Sequence, residues 1–209
     1  MNKKLFFVCL VFALVFTGML TAKSTGINLE VGAAYNNHQL HNIGKNYAYD
    51  RFKHHGIRSK SLGGVNIGIS YPLPKNWAVF ANTTFTFNHT FVNDTMLGVG
   101  YIFKPGKGFE LLLGGAFAFG GSAFNYTKNN SNVTESYFNI GGGINFTASF
   151  MFTRKFGMYA GASLIYYKPV SGRESIKNGN SSRTTNINSG LMPDLTKSIG
   201  LKLGLKIKL

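Results

Sequence analysis

Four of the five histidines in this 209-residue chain fall in one polar stretch, "NNHQLHNIGKNYAYDRFKHHGIRSK" (36–60), as His38 and His41, then His54 and His55. Imidazole pairs at that spacing could meet over a transition metal. Nothing in the sequence fixes their geometry, so they read as loop polarity and no metal site is assigned. The fifth, His89 in "FNHTFVND", has Asp94 near it to orient the ring, but no serine in that stretch to activate. Without a nucleophile, base and orienter together, no enzymatic activity is expected. The glycine runs "GGAFAFGG" (114–121) and "GGG" (141–143) neither open helices nor follow nucleotide-binding spacing, so no cofactor follows from them.

Charge is the stronger signal. Lysine and arginine total 22 against 7 aspartates and glutamates. Such a balance first suggests nucleic acid, but no zinc-finger, homeodomain or single-strand-binding motif accompanies it, and the start of the chain argues otherwise. "MNKKLFFVCLVFALVFTGMLTA" carries Lys3 and Lys4, an apolar run from Leu5 to Leu20, then Thr21-Ala22. These are the zones of a secretory signal peptide, and the run falls short of the roughly 20 residues that span a bilayer. Cleavage near Ala22 divides the chain into a signal peptide, 1–22, and one domain, 23–209, and removes Cys9, the sole cysteine. No nucleic-acid partner is expected.

What must position the remaining charges is an alternating chain. In "SIGLKLGLKIKL" (198–209), Ile199, Leu201, Leu203, Leu205, Ile207 and Leu209 share one parity; Gly200, Lys202, Gly204, Lys206 and Lys208 share the other. Only a period of two separates these sets, so the segment is a strand. The same alternation recurs at 27–36, 62–71, 77–87, 95–103, 109–119, 137–152 and 156–167. With the last segment these make eight strands of mostly 9 to 12 residues, the length of a tilted membrane strand. Short lysine-bearing links at 72–76, 104–108 and 153–155 alternate with longer polar ones at 37–60, 88–93, 120–134 and 168–196. The expected fold is all-β: an eight-stranded antiparallel up-and-down transmembrane barrel with short periplasmic turns and longer extracellular loops.

The faces follow from composition. The polar parity is glycine, asparagine, serine and threonine, and among basic residues only Lys202, Lys206 and Lys208 fall within these strands. A water-facing strand carries more charge, and an eight-stranded barrel has an interior suited to small side chains. On the apolar parity, aromatics flank each short turn: Tyr71 and Trp77, Phe103 and Phe109, Phe152 and Phe156. Aromatic residues at strand ends form girdles at bilayer interfaces. The apolar face therefore meets lipid.

Lys202, Gly204, Ile207 and Leu209 resemble the C-terminal assembly signal of bacterial outer-membrane proteins, with leucine in place of the usual final phenylalanine. The mature chain is similar to the small OmpA/OmpX/OmpW-type barrels, and its basic, Gly/Asn-rich strands look like treponemal outer-membrane barrel families. The resemblance implies a multi-pass protein in the outer membrane of a diderm cell, with outer-membrane lipids and the barrel-assembly machinery as partners. A likeness to OmpW implies a narrow lumen conducting small hydrophobic solutes, here lined by Phe80, Met96, Ile102, Leu112, Met151 and Ile165.

Closing the barrel aligns Ile27 with Leu209 and sets Glu30 opposite Lys206, with Lys202 and Lys208 near and Glu110 able to join. These residues form an inward ion-pair cluster, either a structural plug at the barrel seam or a lumenal relay or narrow cation-lined pore. Outside, Lys45, Arg51, Lys53, Arg58 and Lys60 in the first long link, and Arg173, Lys177 and Arg183 in the last, could dock anionic glycans. Two functions remain open: the conduit, and a surface adhesin or envelope protein whose basic loops bind polyanions while the barrel serves as anchor.

Overall fold

A computed structural model describes residues 26–41, 59–87, 90–128, 131–178, 181–187, 189, 192 and 195–209. The signal peptide assigned to 1–22 lies outside them. The alternating segments form strands β1 (Asn28–His41), β2 (Ser59–Pro72), β3 (Trp77–Phe87), β4 (Thr90–Gly106), β5 (Phe109–Lys128), β6 (Ser131–Met151), β7 (Phe156–Asn178), β8 (Ser181–Asn186) and β9 (Leu195–Lys208).

Each of β1 to β7 pairs antiparallel with the next, and β9 lies between β7 and β1, so eight strands close a ring. The ninth, β8, stands outside the ring and pairs with the far end of β7. Stepping across the ladder from Asn28 through Ser70, Phe80, Gly98, Ala116, Gly143, Ile165 and Ser198 returns to His38, ten residues further along β1. That stagger tilts the strands by roughly 35–45° and leaves an interior that side chains can fill.

At the lower end the turns are tight. Between β2 and β3 the chain reverses through one turn of 3-10 helix, Pro74–Asn76, with Lys75 and Asn76 in the left-handed region. Between β4 and β5 the reversal uses Gly108, φ 78°. At the upper end the strands outrun the sequence pattern. Expected over 109–119, 137–152 and 156–167, the fifth, sixth and seventh strands reach 20 residues in β5, 21 in β6 and 23 in β7.

Three expected loops are corrected accordingly. The link at 88–93 is largely strand, with Phe87 already paired to Phe91. That at 120–134 continues the β5–β6 ladder to Lys128 and Ser131. That at 168–196 carries the rest of β7, then β8, then the start of β9. The first long link also begins later than expected, because β1 runs on to His41. The physical reason is common to all. Beyond the bilayer the outer face turns polar, with Asn125, Thr127, Thr134 and Ser136, while the buried inner face mixes Ser122, Phe124, Val133, Glu135 and Tyr137, so apolar alternation ends while the backbone ladder does not.

Candidate functional site

The outer surface between the two ends is apolar. Ile67, Val99, Ile144, Phe146, Leu201, Leu203 and Leu205 all stand exposed, Leu203 at 59 %. The six aromatics expected at the lower interface, Tyr71, Trp77, Phe103, Phe109, Phe152 and Phe156, are exposed on the same outer face. Trp77 packs edge-on to Tyr101, ring centroids 5.8 Å apart, which fixes its orientation. A continuous apolar band of this kind is untenable in water and is what hydrocarbon requires.

Inward-facing residues fill the ring. Ala78, Phe80, Met96, Ile102, Leu112, Ala118, Ile165 and Tyr167 pack into one buried cluster. Five of the six side chains expected to line a hydrophobic lumen are thus in contact within a core; Met151 is half-buried outside it.

Hydrogen bonds also cross the ring between strands that are not neighbours. Tyr159 on β7 donates its hydroxyl to Asn66 Oδ1 on β2, 3.0 Å. Asn66 in turn reaches Asn82 Oδ1 at 2.7 Å and Thr84 Oγ1 at 3.0 Å. Tyr167 on β7 donates to Asp94 Oδ1 on β4, 2.9 Å. Asp94 also accepts from Ser198, 2.6 Å, and from the amide of Asn36. The Ser198 hydroxyl is therefore turned to a carboxylate and an amide oxygen. These polar contacts were missed as partnerships, although the inward parity of Asn66, Asn82 and Ser198 was legible.

Tyr159→Phe deletes one such bond while Asn66 keeps its others. The variant is expected to lose about 1 kcal/mol, read from urea-unfolding midpoints in liposomes.

The charged cluster is arranged differently from the expectation. Register does set Glu30 across from Lys206. The ion pairs, however, run to Glu110: Lys206 Nζ to Oε2 at 2.8 Å and Lys208 Nζ to Oε1 at 2.8 Å. Lys206 also donates to Ser149 Oγ, 2.9 Å. Lys202 donates to Asn145 Oδ1, 2.9 Å. The correction has a geometric cause. Facing residues on adjacent strands point parallel into a narrow lumen, whereas a long lysine extended across it meets the opposite wall. Glu30 remains buried within the electrostatic reach of Lys202 and Lys206.

At the upper end His38 is buried in the lumen, its ring 6.1 Å from that of Phe124. It is a lumenal strand residue and not, as expected, part of a loop. His54, His55 and His89 lie outside the described residues, as do Lys45, Arg51, Lys53 and Arg58; Lys60 lies on β2. Arg173 and Lys177 on β7 and Arg183 on β8 are exposed, on strands instead of in a loop. Register pairs this end of β7 with β6 on one side and β8 on the other, and sets Arg183 opposite Ile176 and Lys177 opposite Ser182. The three cations thus lie on one arm of sheet at the upper end, Arg173 and Lys177 on one face and Arg183 on the other.

The closed ring, its stagger and its apolar exterior decide the class. The chain is an integral β-barrel of the outer-membrane type. No protein-family profile and no curated protein matches its sequence. Among solved structures the barrel is similar to Neisserial surface protein A, at 13% identity over 90% of this chain and 100% of that one, TM-score 0.56. It is likewise similar to a major outer membrane protein from Thermus thermophilus, at 11% identity over 87% and 99% of the two chains, TM-score 0.55. Identities this low establish a shared fold, and the barrel's own side chains must carry the rest.

Proposed function

We propose that the barrel is a sealed anchor that presents its upper arm to polyanionic ligands. The observation that supports this most is the filled lumen. A conduit for small apolar solutes would have to part the cluster from Phe80 to Ile165 and break the cross-ring bonds of Tyr159, Tyr167 and Lys206 together. The exposed arm is the opposite case: Arg173 and Lys177 are exposed on one face of the extended β6–β7–β8 sheet and Arg183 on the other. Cations held at fixed spacing suit sulfate- or carboxylate-bearing glycans. Outer-membrane lipids around the apolar belt, and assembly through the signal at Lys202, Gly204, Ile207 and Leu209, belong to the same reading.

Two measurements test it. Heparin binding by the refolded protein should weaken about tenfold in the variant R173Q/K177Q/R183Q, and should fall with added salt in the parent. Planar bilayers carrying the parent should show no steady conductance above bare lipid. Unchanged heparin affinity in the variant overturns the ligand reading; sustained single-channel steps overturn the seal.

A further inference from the structure

The lower mouth of the lumen holds a recess of about 400 Å³ lined in part by Lys104, Arg154, Lys155 and Lys208. We propose that it is a binding site for the carboxylates of a short acidic peptide on the periplasmic side. The proposal concerns the opposite end of the barrel from the polyanion-binding arm and does not depend on it.

The charge around the recess is one-sided. The turns that form this end, 72–76, 104–108 and 152–155, contain Lys75, Lys104, Lys107, Arg154 and Lys155 and no acidic residue. The acidic residue lining the recess is Glu110. Glu110 is already held by two ammonium groups, Lys206 and Lys208, at 2.8 Å each. An arriving anion therefore meets an excess of cations.

The cations are also held in place. Thr153 Oγ accepts the backbone N–H groups of Lys155, 3.2 Å, and Phe156, 2.9 Å, which pins the turn that presents Arg154 and Lys155. The carbonyl of Lys155 accepts the N–H of Lys208, 2.8 Å, tying that turn to the end of β9. Leu209 N–H bonds Ile27 O at 2.9 Å, and Leu209 O accepts from Gly26 N–H at 3.1 Å. A rim fixed by its own backbone loses little entropy on binding.

Position and lining select the ligand. The recess opens within the ring, over lumen-facing Asn28 and Ile102, while lipid headgroups lie outside it, beyond Trp77 and Phe109. Its volume falls in the range of small-ligand sites, about 300–1,000 Å³. Lys104 and the Arg154–Lys155 pair come from different turns, so the cations are spread around the mouth and suit several separate carboxylates better than one compact ion. Ile102 and Pro72 offer apolar contact between them.

The test uses the full barrel in nanodiscs of zwitterionic lipid, with a fluorescein-labelled hexapeptide of alternating glutamate and alanine as probe. Fluorescence polarisation should show binding that the glutamine counterpart lacks. Measured in the R173Q/K177Q/R183Q background, which removes the cations of the upper arm, the probe should still bind, and adding K104Q/R154Q/K155Q to that background should weaken it at least tenfold. Both variants must first show the folded, heat-shifted band on gels. Equal affinity of the glutamine peptide, or unchanged affinity on adding K104Q/R154Q/K155Q, overturns the site. Full displacement of the probe by inorganic phosphate at equal charge overturns the peptide in favour of a simple anion. Loss of probe binding on adding phosphatidylglycerol to the nanodisc overturns it in favour of lipid.

Discussion

Replacing Gly204 with valine is expected to abolish the closed barrel. Gly204 faces Gly32 across the seam where β9 meets β1. A Cβ added at Gly204 would lie 2.2 Å from the carbonyl oxygen of Val31 and 2.5 Å from the Cα of Gly32. One added at Gly32 would lie 2.1 Å from the carbonyl oxygen of Leu203. Both obstacles are backbone, held in the ladder that closes the ring, so no side-chain rotation relieves them. Overpacking costs about 1–3 kcal/mol where neighbours can shift, and here the shift would open the seam. The expected readout is loss of the compact, heat-shifted monomer on gels after refolding. Gly115→Val is the control: a Cβ there meets nothing within 4 Å, and the residue faces lipid. That variant should fold like the parent; failure of both would mean that valine harms these strands wherever it is placed.

The second large effect is at Glu110. Its carboxylate joins Lys206, whose side chain is 7% exposed, to Lys208, at 35%. Glu110→Ala leaves Lys208 free to turn toward water but removes the ion-pair contact of the Lys206 ammonium in the lumen, leaving Ser149 as its hydrogen-bond partner and Glu30 as the carboxylate within electrostatic reach. Removing one partner of a buried ion pair costs about 3–5 kcal/mol. The variant should unfold at correspondingly lower urea, and the double variant Glu110→Leu with Lys206→Met should recover most of that loss. No recovery would show that Glu110 acts through packing instead of charge.

Much of this architecture was readable from two-residue periodicity. A barrel wall separates lipid from lumen, and Leu201, Leu203 and Leu205 against Lys202, Gly204 and Lys206 record that separation residue by residue. Strand order and the β1–β9 register followed, because one closure places Ile27 beside Leu209 and the inward parity does the rest. What periodicity does not encode is distance across the ring. Glu30 and Lys206 are register partners, yet Lys206 is bonded to Glu110, 96 residues away in sequence. A lysine's reach is set by the barrel's width, which comes from strand number and stagger together. The same limit hid Asp94, whose three donors sit on β1, β7 and β9. Periodicity also falls silent where the outer face turns polar and the inner face mixes polar with apolar residues, as Glu135 between Val133 and Tyr137 does, so the upper halves of β5, β6 and β7 read as loops. The basic residues Arg173, Lys177 and Arg183 were found by composition alone, before the strands that carry them.

Closure removes every free edge inside the membrane, but β8 brings one back outside it. Among the described residues β8 pairs with β7 alone, at the end of the sheet order. One row of its peptide groups has no partner strand among these residues, the condition under which two copies of a protein zip together. Its sequence, Ser181-Ser182-Arg183-Thr184-Thr185-Asn186, answers that hazard: six residues, every side chain polar, with a cation that repels its own duplicate. The barrel can crowd beside others of its kind in a two-dimensional lattice of lipid without its exposed fringe nucleating a fibril.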